Sequence, residues 1–251
     1  MTSTTQNRLI KLLAVLFWLV VWQVASLIIG EEIFLPSPLA VLLRLASIVT
    51  EDGFWGAVCF TLRRIILGFA LSAMAALLFA ALSYKLMPAR LLLDPLVKAV
   101  RAVPVASIII LVLVWVRSRN LSVVISFLMV FPIVYTNVLE GLEATDPLLL
   151  EMAESYRLKR LKALRYIYLP SIVPYLTSAV STALGLAWKS GIAAEVIGLP
   201  MGSIGENLYL SKVYLMIPDL FAWTVVIVIL AFVFEKVFLF LVKEGLRRAV
   251  R

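Results

Sequence analysis

Five long apolar runs dictate what this chain can become: Leu9 to Ile29, Val58 to Tyr84, Leu121 to Leu139, Ser171 to Trp188 and Leu220 to Val242. A helix rises about 1.5 Å per residue and the hydrocarbon core of a bilayer is about 30 Å thick, so roughly 20 apolar residues make one crossing. A sixth run, Ala102 to Val116, is short and carries Pro104 near its start, which predicts a crossing that is kinked or partly shielded by its neighbours. With 63% hydrophobic and 15% charged residues among 251, and a mean hydropathy of +1.05, the composition excludes a soluble domain. The expected fold is all-α and polytopic, with about six transmembrane helices in one domain over 1–251. Within it lie an N-terminal helix at 9–29, a core at about 58–242 and a polar loop at 146–169.

The first run is too long for a secretory signal, and no small-residue cleavage site follows it before the Leu35-Pro36-Ser37-Pro38 turn, so it reads as a helix of the mature chain. Cys59 is the single cysteine, which excludes an internal disulfide framework; lying in an apolar run, it reads as a buried, inert thiol. The chain has no histidine, so a histidine proton relay, a catalytic triad or a histidine zinc site is excluded, and no metal site is expected.

The net charge of +8 would suggest nucleic acid in a soluble protein, but the distribution of the cations points to a membrane instead. With the N-terminus inside, Arg8, Lys11, Lys85, Arg90, Lys98, Arg101, Arg157, Lys159, Arg160, Lys162, Arg165, Lys243, Arg247, Arg248 and Arg251 all fall on the cytoplasmic side. Arg44, Arg63, Arg64, Arg117, Arg119 and Lys212 fall outside, with Lys189 and Lys236 within or at the ends of crossings. The positive-inside rule then predicts cytoplasmic termini and a cytoplasmic central loop.

On the outer side, Ser37 before Pro38 starts a short helix in which Leu39, Leu42, Leu43, Ala46 and Val49 share a face opposite Arg44, Ser47 and Glu51. It is expected to lie on the surface. The glycines from Gly191 to Gly205, interrupted by Pro200, predict a broken or re-entrant element.

The central loop has its own helical signals. Asp146 followed by Pro147 supplies an N-cap and a first helical residue, and Glu151 and Glu154 lie near the positive end of the helix dipole. Leu148, Met152 and Tyr156 then fall on one face, and a second short helix at about Leu161 to Tyr168 leads to Pro170. Such a hairpin either inserts an apolar knob into a partner's groove or is an ordinary basic loop.

The spacing in this loop resembles that of ATP-binding-cassette (ABC) importer permeases. Glu151, Ala153, Ile167, Leu169 and Pro170 match that family's signature, with Arg157 in the place of its Gly. The resemblance extends from about residue 9 to 245, and its details fit the sulfonate, taurine and nitrate branch. They include Leu35-Pro36-Ser37-Pro38, Thr61-Leu62-Arg63-Arg64 leading to Gly68-Phe69, Asp94-Pro95, Arg101-Ala102-Val103-Pro104, Phe131-Pro132-Ile133, and Ala187-Trp188 followed by Ala194-Glu195.

The resemblance implies a permease subunit of a binding-protein-dependent importer in the bacterial inner membrane, coupled through the hairpin to a dimer of ATPase subunits. It implies a second permease copy, giving a homodimer, a solute-binding protein on the far side, and a small anionic or polar solute. Glu151, Met152, Ala153, Tyr156 and Arg157 would form the coupling contact, with Ala153 buried against the partner. The Arg157 replacement predicts a longer first helix or a turn displaced by a residue or two.

No cofactor is expected on this chain, because Gly185-Leu186-Ala187-Trp188-Lys189-Ser190 lacks the glycines of a phosphate loop; ATP and magnesium would belong to the partner. Lys189, with Trp188 and Glu195, is the candidate for the translocation path; alternatively, Lys189 snorkels to the interface or pairs with a neighbouring helix. Arg63 and Arg64 read as interfacial anchors. An autonomous secondary transporter would need Lys189 and Glu195 as its coupling groups, and the internal symmetry such folds show is not visible in the sequence. A membrane-embedded enzyme has no cluster of nucleophile, base and orienting group to support it.

Overall fold

The computed structural model describes residues 2–250, with side chains described at 9, 10, 12–240 and 244. The side chains of Arg8, Lys11, Lys243, Arg247, Arg248 and Arg251, six of the cations that the charge argument places inside, lie outside the described residues. Among the described residues the chain is helical without a strand: α1 (Thr2–Ile29), α2 (Pro38–Thr50), α3 (Phe54–Lys85), α4 (Met87–Ala102), α5 (Val105–Leu113), α6 (Ser118–Glu143), α7 (Pro147–Ser155), α8 (Arg160–Ala163), α9 (Leu169–Gly198), α10 (Ile204–Val213) and α11 (Ile217–Val250). Five helical stretches are long and apolar enough to cross a membrane: Leu12–Ile29, Phe54–Lys85, Ser118–Glu143, Arg160–Gly198 and Ile217–Phe240.

Helix directions establish a sixth crossing. The backbone of α3 meets α6 with Gly68 against Val123 and Ser126, and Ser72 donates its hydroxyl to the Phe127 carbonyl at 2.8 Å. Further along, the Tyr135 hydroxyl donates to Ser83 at 3.0 Å. Residue numbers rise together along this seam, so α3 and α6 run parallel. Two parallel crossings require a return between them, and α4 with α5 supplies it.

That return bends by 106° at Val103-Pro104. Proline forces its predecessor out of the helical region, and Val103 is extended at φ −82°, ψ 134°. The nine residues of α5 cover only about 13.5 Å. They pass against protein, with Ile108 and Ile109 packed on Leu121, Ile125 and Ala194. At the other end of the pair, Arg90 bonds Glu143 and the Tyr135 hydroxyl reaches Asp94 at 3.4 Å, tying α4 to α6. Both the kink and the shielding expected of the short apolar run are present.

The remaining directions follow from the same kind of contact. Gly141 lies against Ile172 and Tyr175, the Ser126 hydroxyl donates to the Ala187 carbonyl at 3.2 Å, and Gly198 abuts Leu121, so α9 is antiparallel to α6. Phe54 stacks on Trp223 and Phe69 meets Phe238 edge-on, so α11 is parallel to α3.

In hydrocarbon, helices associate through close packing and interhelical hydrogen bonds rather than through a hydrophobic force. The packed face of α3 shows this directly. Thr61, Ile65, Gly68, Ser72, Ala76, Ala80 and Ser83 recur every three or four residues and are all buried. A Cβ at Gly68 would collide with the Val123 carbonyl and lie 2.9 Å from the Ser126 Cβ, so the two backbones approach only because that atom is missing.

Helix α2 starts as expected, with the Ser37 hydroxyl accepting from the Ala40 N–H at 3.1 Å, but its packed face differs from the one expected. Val41 and Ile48 are buried and Leu45 and Val49 pack on the core, whereas Leu39, Leu42 and Leu43 are exposed. The reason is Arg44, which lies on the protein side and grips Asp219 of α11 with two hydrogen bonds, at 2.5 and 2.8 Å. A bidentate ion pair sets the roll of this helix, which is apolar on both sides and so could have packed on either.

Candidate functional site

The hairpin forms from local backbone chemistry. Asp146 accepts the Leu148 N–H at 2.9 Å, and Pro147 opens α7 where a helix needs no N–H. The helix closes with two bonds: Arg157 N–H to the Glu154 carbonyl at 2.9 Å and Leu158 N–H to the Ala153 carbonyl at 2.8 Å. This pairing is a Schellman turn, and the residue it places in the left-handed region is Arg157, at φ +48°. The turn is therefore neither displaced nor preceded by a longer helix, contrary to the expectation drawn from the missing glycine. Arginine occupies the strained conformation in place.

The second arm also differs from expectation. The helical arm is not interrupted before Pro170: α8 ends at Ala163 and the chain passes through a π-helical turn, Leu164–Tyr168, directly into α9. Leu169 N–H donates to the Leu164 carbonyl, five residues back, in this wider turn. Pro170 has no N–H to return to residue 166, and a widened turn at this point relieves the clash that its ring would make in a regular helix.

Leu148 and Met152 of α7 and Tyr156 at its C-cap are all exposed, Tyr156 to 78%, and they share one face. Ala153 is 8% exposed, so the chain itself already covers most of its methyl. Glu151, Arg157, Lys159, Arg160, Lys162 and Arg165 are exposed, so the apolar face is flanked by charge.

At the opposite end of the bundle, Glu195 of α9 is fully buried. Its Oε2 accepts the Thr61 hydroxyl at 2.7 Å and the Gly205 N–H at 3.3 Å, while the Ile204 N–H donates to the Thr61 oxygen at 3.1 Å. Its Oε1 is buried with no hydrogen-bond partner among the described residues. This node ties α3, α9 and the start of α10 together. A Cβ at Gly205 would collide with the Cβ of Glu195, which accounts for the glycine.

The break predicted across Gly191 to Gly205 is narrower than expected. Gly191 lies inside α9, pressed against Ile65 and Ser126, and the helix ends only at Gly198. The chain turns through Leu199 at φ +49° and Gly202 at φ +75°, and Ser203 caps α10 by accepting the Glu206 N–H at 3.0 Å.

The three residues expected on the translocation path fall in three environments. Trp188 is buried, donates its indole N–H to the Ile227 carbonyl at 3.1 Å and packs on Phe234, so it holds α9 to α11 rather than lining a path. Glu195 belongs to the buried node. Lys189 is exposed, on a face it shares with exposed Ser178, Thr182 and Gly185. Six residues of helix turn through about 240°, which separates Lys189 from Glu195. Cys59, expected to be buried, is exposed, because α3 packs through the Ala57, Val58 and Thr61 side and leaves position 59 facing away.

The fold and hairpin define a polytopic helical membrane protein with a structured element outside its membrane-spanning set. Residues 68–251 match the family described as the binding-protein-dependent transport system inner membrane component, and the chain belongs to that family. It is therefore a multi-pass permease subunit of an ABC importer and not an enzyme; the family implies an ATPase and a solute-binding protein as its partners.

Its relatives include the taurine transport system permease protein TauC of Escherichia coli (strain K12), 30% identical over 224 residues, covering 85% of this chain and 80% of that protein. The putative aliphatic sulfonates transport permease protein SsuC of Bacillus subtilis (strain 168) is 26% identical, covering 72% of this chain and 67% of its own. The bicarbonate transport system permease protein CmpB of Synechococcus elongatus (strain ATCC 33912 / PCC 7942 / FACHB-805) is 24% identical, covering 82% and 77% respectively. A crystal structure described as an amino acid ABC transporter with histidines superposes with a TM-score of 0.61 at 20% identity, over 81% of this chain and 97% of that one, and shows the shared fold.

Proposed function

We propose that this chain forms one half of a homodimeric importer for a small oxyanion of the sulfonate class, with both termini and the 146–169 hairpin in the cytoplasm. The observation that carries the proposal is the exposed apolar face of Leu148, Met152 and Tyr156 on a charged hairpin, which is suited to a groove on a partner. The ATPase dimer receives that face, Glu151 and Arg157 flank it, and Ala153 shapes the hairpin from within. The relatives named for taurine, aliphatic sulfonates and bicarbonate support an anionic solute. This chain holds no cofactor; ATP and magnesium bind to the ATPase.

The reading is tested by reconstituting the permease into liposomes with its ATPase and its binding protein and following the uptake of labelled taurine. Accumulation should require ATP and all three components. Uptake by the permease alone, driven by an ion gradient, would replace this reading with that of a secondary transporter.

A further inference from the structure

At the end of the bundle opposite the hairpin, a cavity of about 540 Å³ opens between α3 and the start of α6. Its lining includes Cys59, Phe60, Arg63, Arg64, Arg119 and Asn120, three of them arginines and none a carboxylate. Arg64 is fixed in place: its guanidinium lies 4.2 Å over the Phe60 ring and donates to Asn120 Oδ1 at 3.3 Å. Among the described residues, neither Arg63 nor Arg119 has an acidic partner within salt-bridge distance. Glu195 sits outside the lining, buried and engaged by Thr61 and Gly205.

The setting of this cluster makes it informative. Helix α3 is long and apolar enough to cross a membrane, and Arg64 lies about 15 Å in from its start. Cations on membrane-spanning helices face water or a counter-charge, not bare lipid. Guanidinium groups also match the geometry of oxyanions, which they bind through paired N–H donors.

We propose that Arg63, Arg64 and Arg119, with Asn120, form an oxyanion-binding vestibule through which the solute enters the permease. The proposal rests on the importer reading for its physiological role, but the affinity for oxyanions stands on the cavity alone. Arg64, held by Phe60 and Asn120, is the fixed element. Arg63 and Arg119 are free to close on a sulfonate or a carboxylate. The same chemistry would suit the phosphate of an anionic lipid, and the experiment separates the two sources.

Cys59 lines the cavity and is the chain's single cysteine, so it serves as a built-in reporter. The permease is purified with its ATPase into phosphatidylcholine nanodiscs, and modification of the permease chain is followed by intact mass. Anionic sulfonatoethyl methanethiosulfonate is compared with the cationic trimethylammonioethyl reagent, each normalised to its rate with a free thiol. The anionic reagent should be favoured at least tenfold. Millimolar ethanesulfonate should slow it, and Arg63→Gln with Arg119→Gln should reduce the preference at least fivefold, while Arg119→Lys retains most of it.

Equal normalised rates, or a preference untouched by the double substitution, would overturn the proposal. Modification by neutral membrane-permeant reagents alone would do the same, by placing the cavity in lipid. If phosphatidylglycerol in the discs blocks labelling and ethanesulfonate does not, the site belongs to lipid and the solute vestibule is wrong. None of these readouts depends on transport, so ATP-driven uptake surviving a failed labelling test would leave the importer reading intact.

Discussion

Thr61 donates its hydroxyl to the buried carboxylate of Glu195 at 2.7 Å, joining two helices across 134 residues of sequence. The same oxygen of Thr61 accepts the Ile204 N–H, so one hydroxyl satisfies a carboxylate and the first turn of α10 together. Replacing it with the isosteric Thr61→Val leaves both without that partner. A buried polar group stripped of its bond costs about 1–3 kcal/mol, and interhelical bonds in membranes lie toward the lower end. Thermal unfolding of the purified permease should shift down for Thr61→Val and stay near the parent for Thr61→Ser, which keeps the hydroxyl. Equal melting of all three proteins would show that the node contributes nothing to stability.

Arg157 makes the opposite kind of prediction, since its left-handed backbone costs a non-glycine residue roughly 1 kcal/mol. Arg157→Gly should relieve that strain and leave the Schellman bonds in place. Native-state hydrogen exchange at positions 157 and 158 should slow. Faster exchange there would mean that the arginine side chain contributes more to the turn than its backbone costs.

The apolar runs, the kink at Pro104 and the start of the hairpin at Asp146-Pro147 were all legible in the sequence, because each is a local signal with a single physical meaning. The partners were not. Thr61, Gly68 and Glu195 all stand within the stretches that carry the family resemblance, yet nothing local reveals that Thr61 meets Glu195 or that Gly68 meets Val123. The run of small and polar residues from Thr61 through Gly68, Ser72 and Ala76 to Ala80 has the spacing of a packing seam and is the sequence signal for the packed face of α3. That Cys59 is exposed and Trp188 buried is hidden from the sequence for a related reason: in a chain this apolar, hydrophobicity does not tell the packed face of a helix from the exposed one. The same ambiguity misplaced the packed face of α2, which Arg44 and Asp219 decide.

Orientation is tested by placing single cysteines at Lys162 and at Ser37 in a Cys59→Ser background, a background that the exposure of Cys59 makes necessary. In intact cells an impermeant maleimide should label position 37 and not position 162, and permeabilisation should expose position 162. Labelling of both from outside would refute the cytoplasmic placement of the hairpin.

The central claim is that Leu148, Met152 and Tyr156 are the surface through which ATP hydrolysis reaches this chain. Its most direct measurement is the affinity of the ATPase for the permease in nanodiscs, for the parent and for a variant carrying Met152→Asp and Tyr156→Asp. Both residues are exposed, so the fold should tolerate the change, whereas two carboxylates forced into an apolar contact should weaken binding by roughly 2 kcal/mol or more, about 30-fold. Met201→Asp, at a residue more exposed still but at the far end of the bundle, should bind as the parent does. Unchanged ATPase affinity in the double variant would contradict the account.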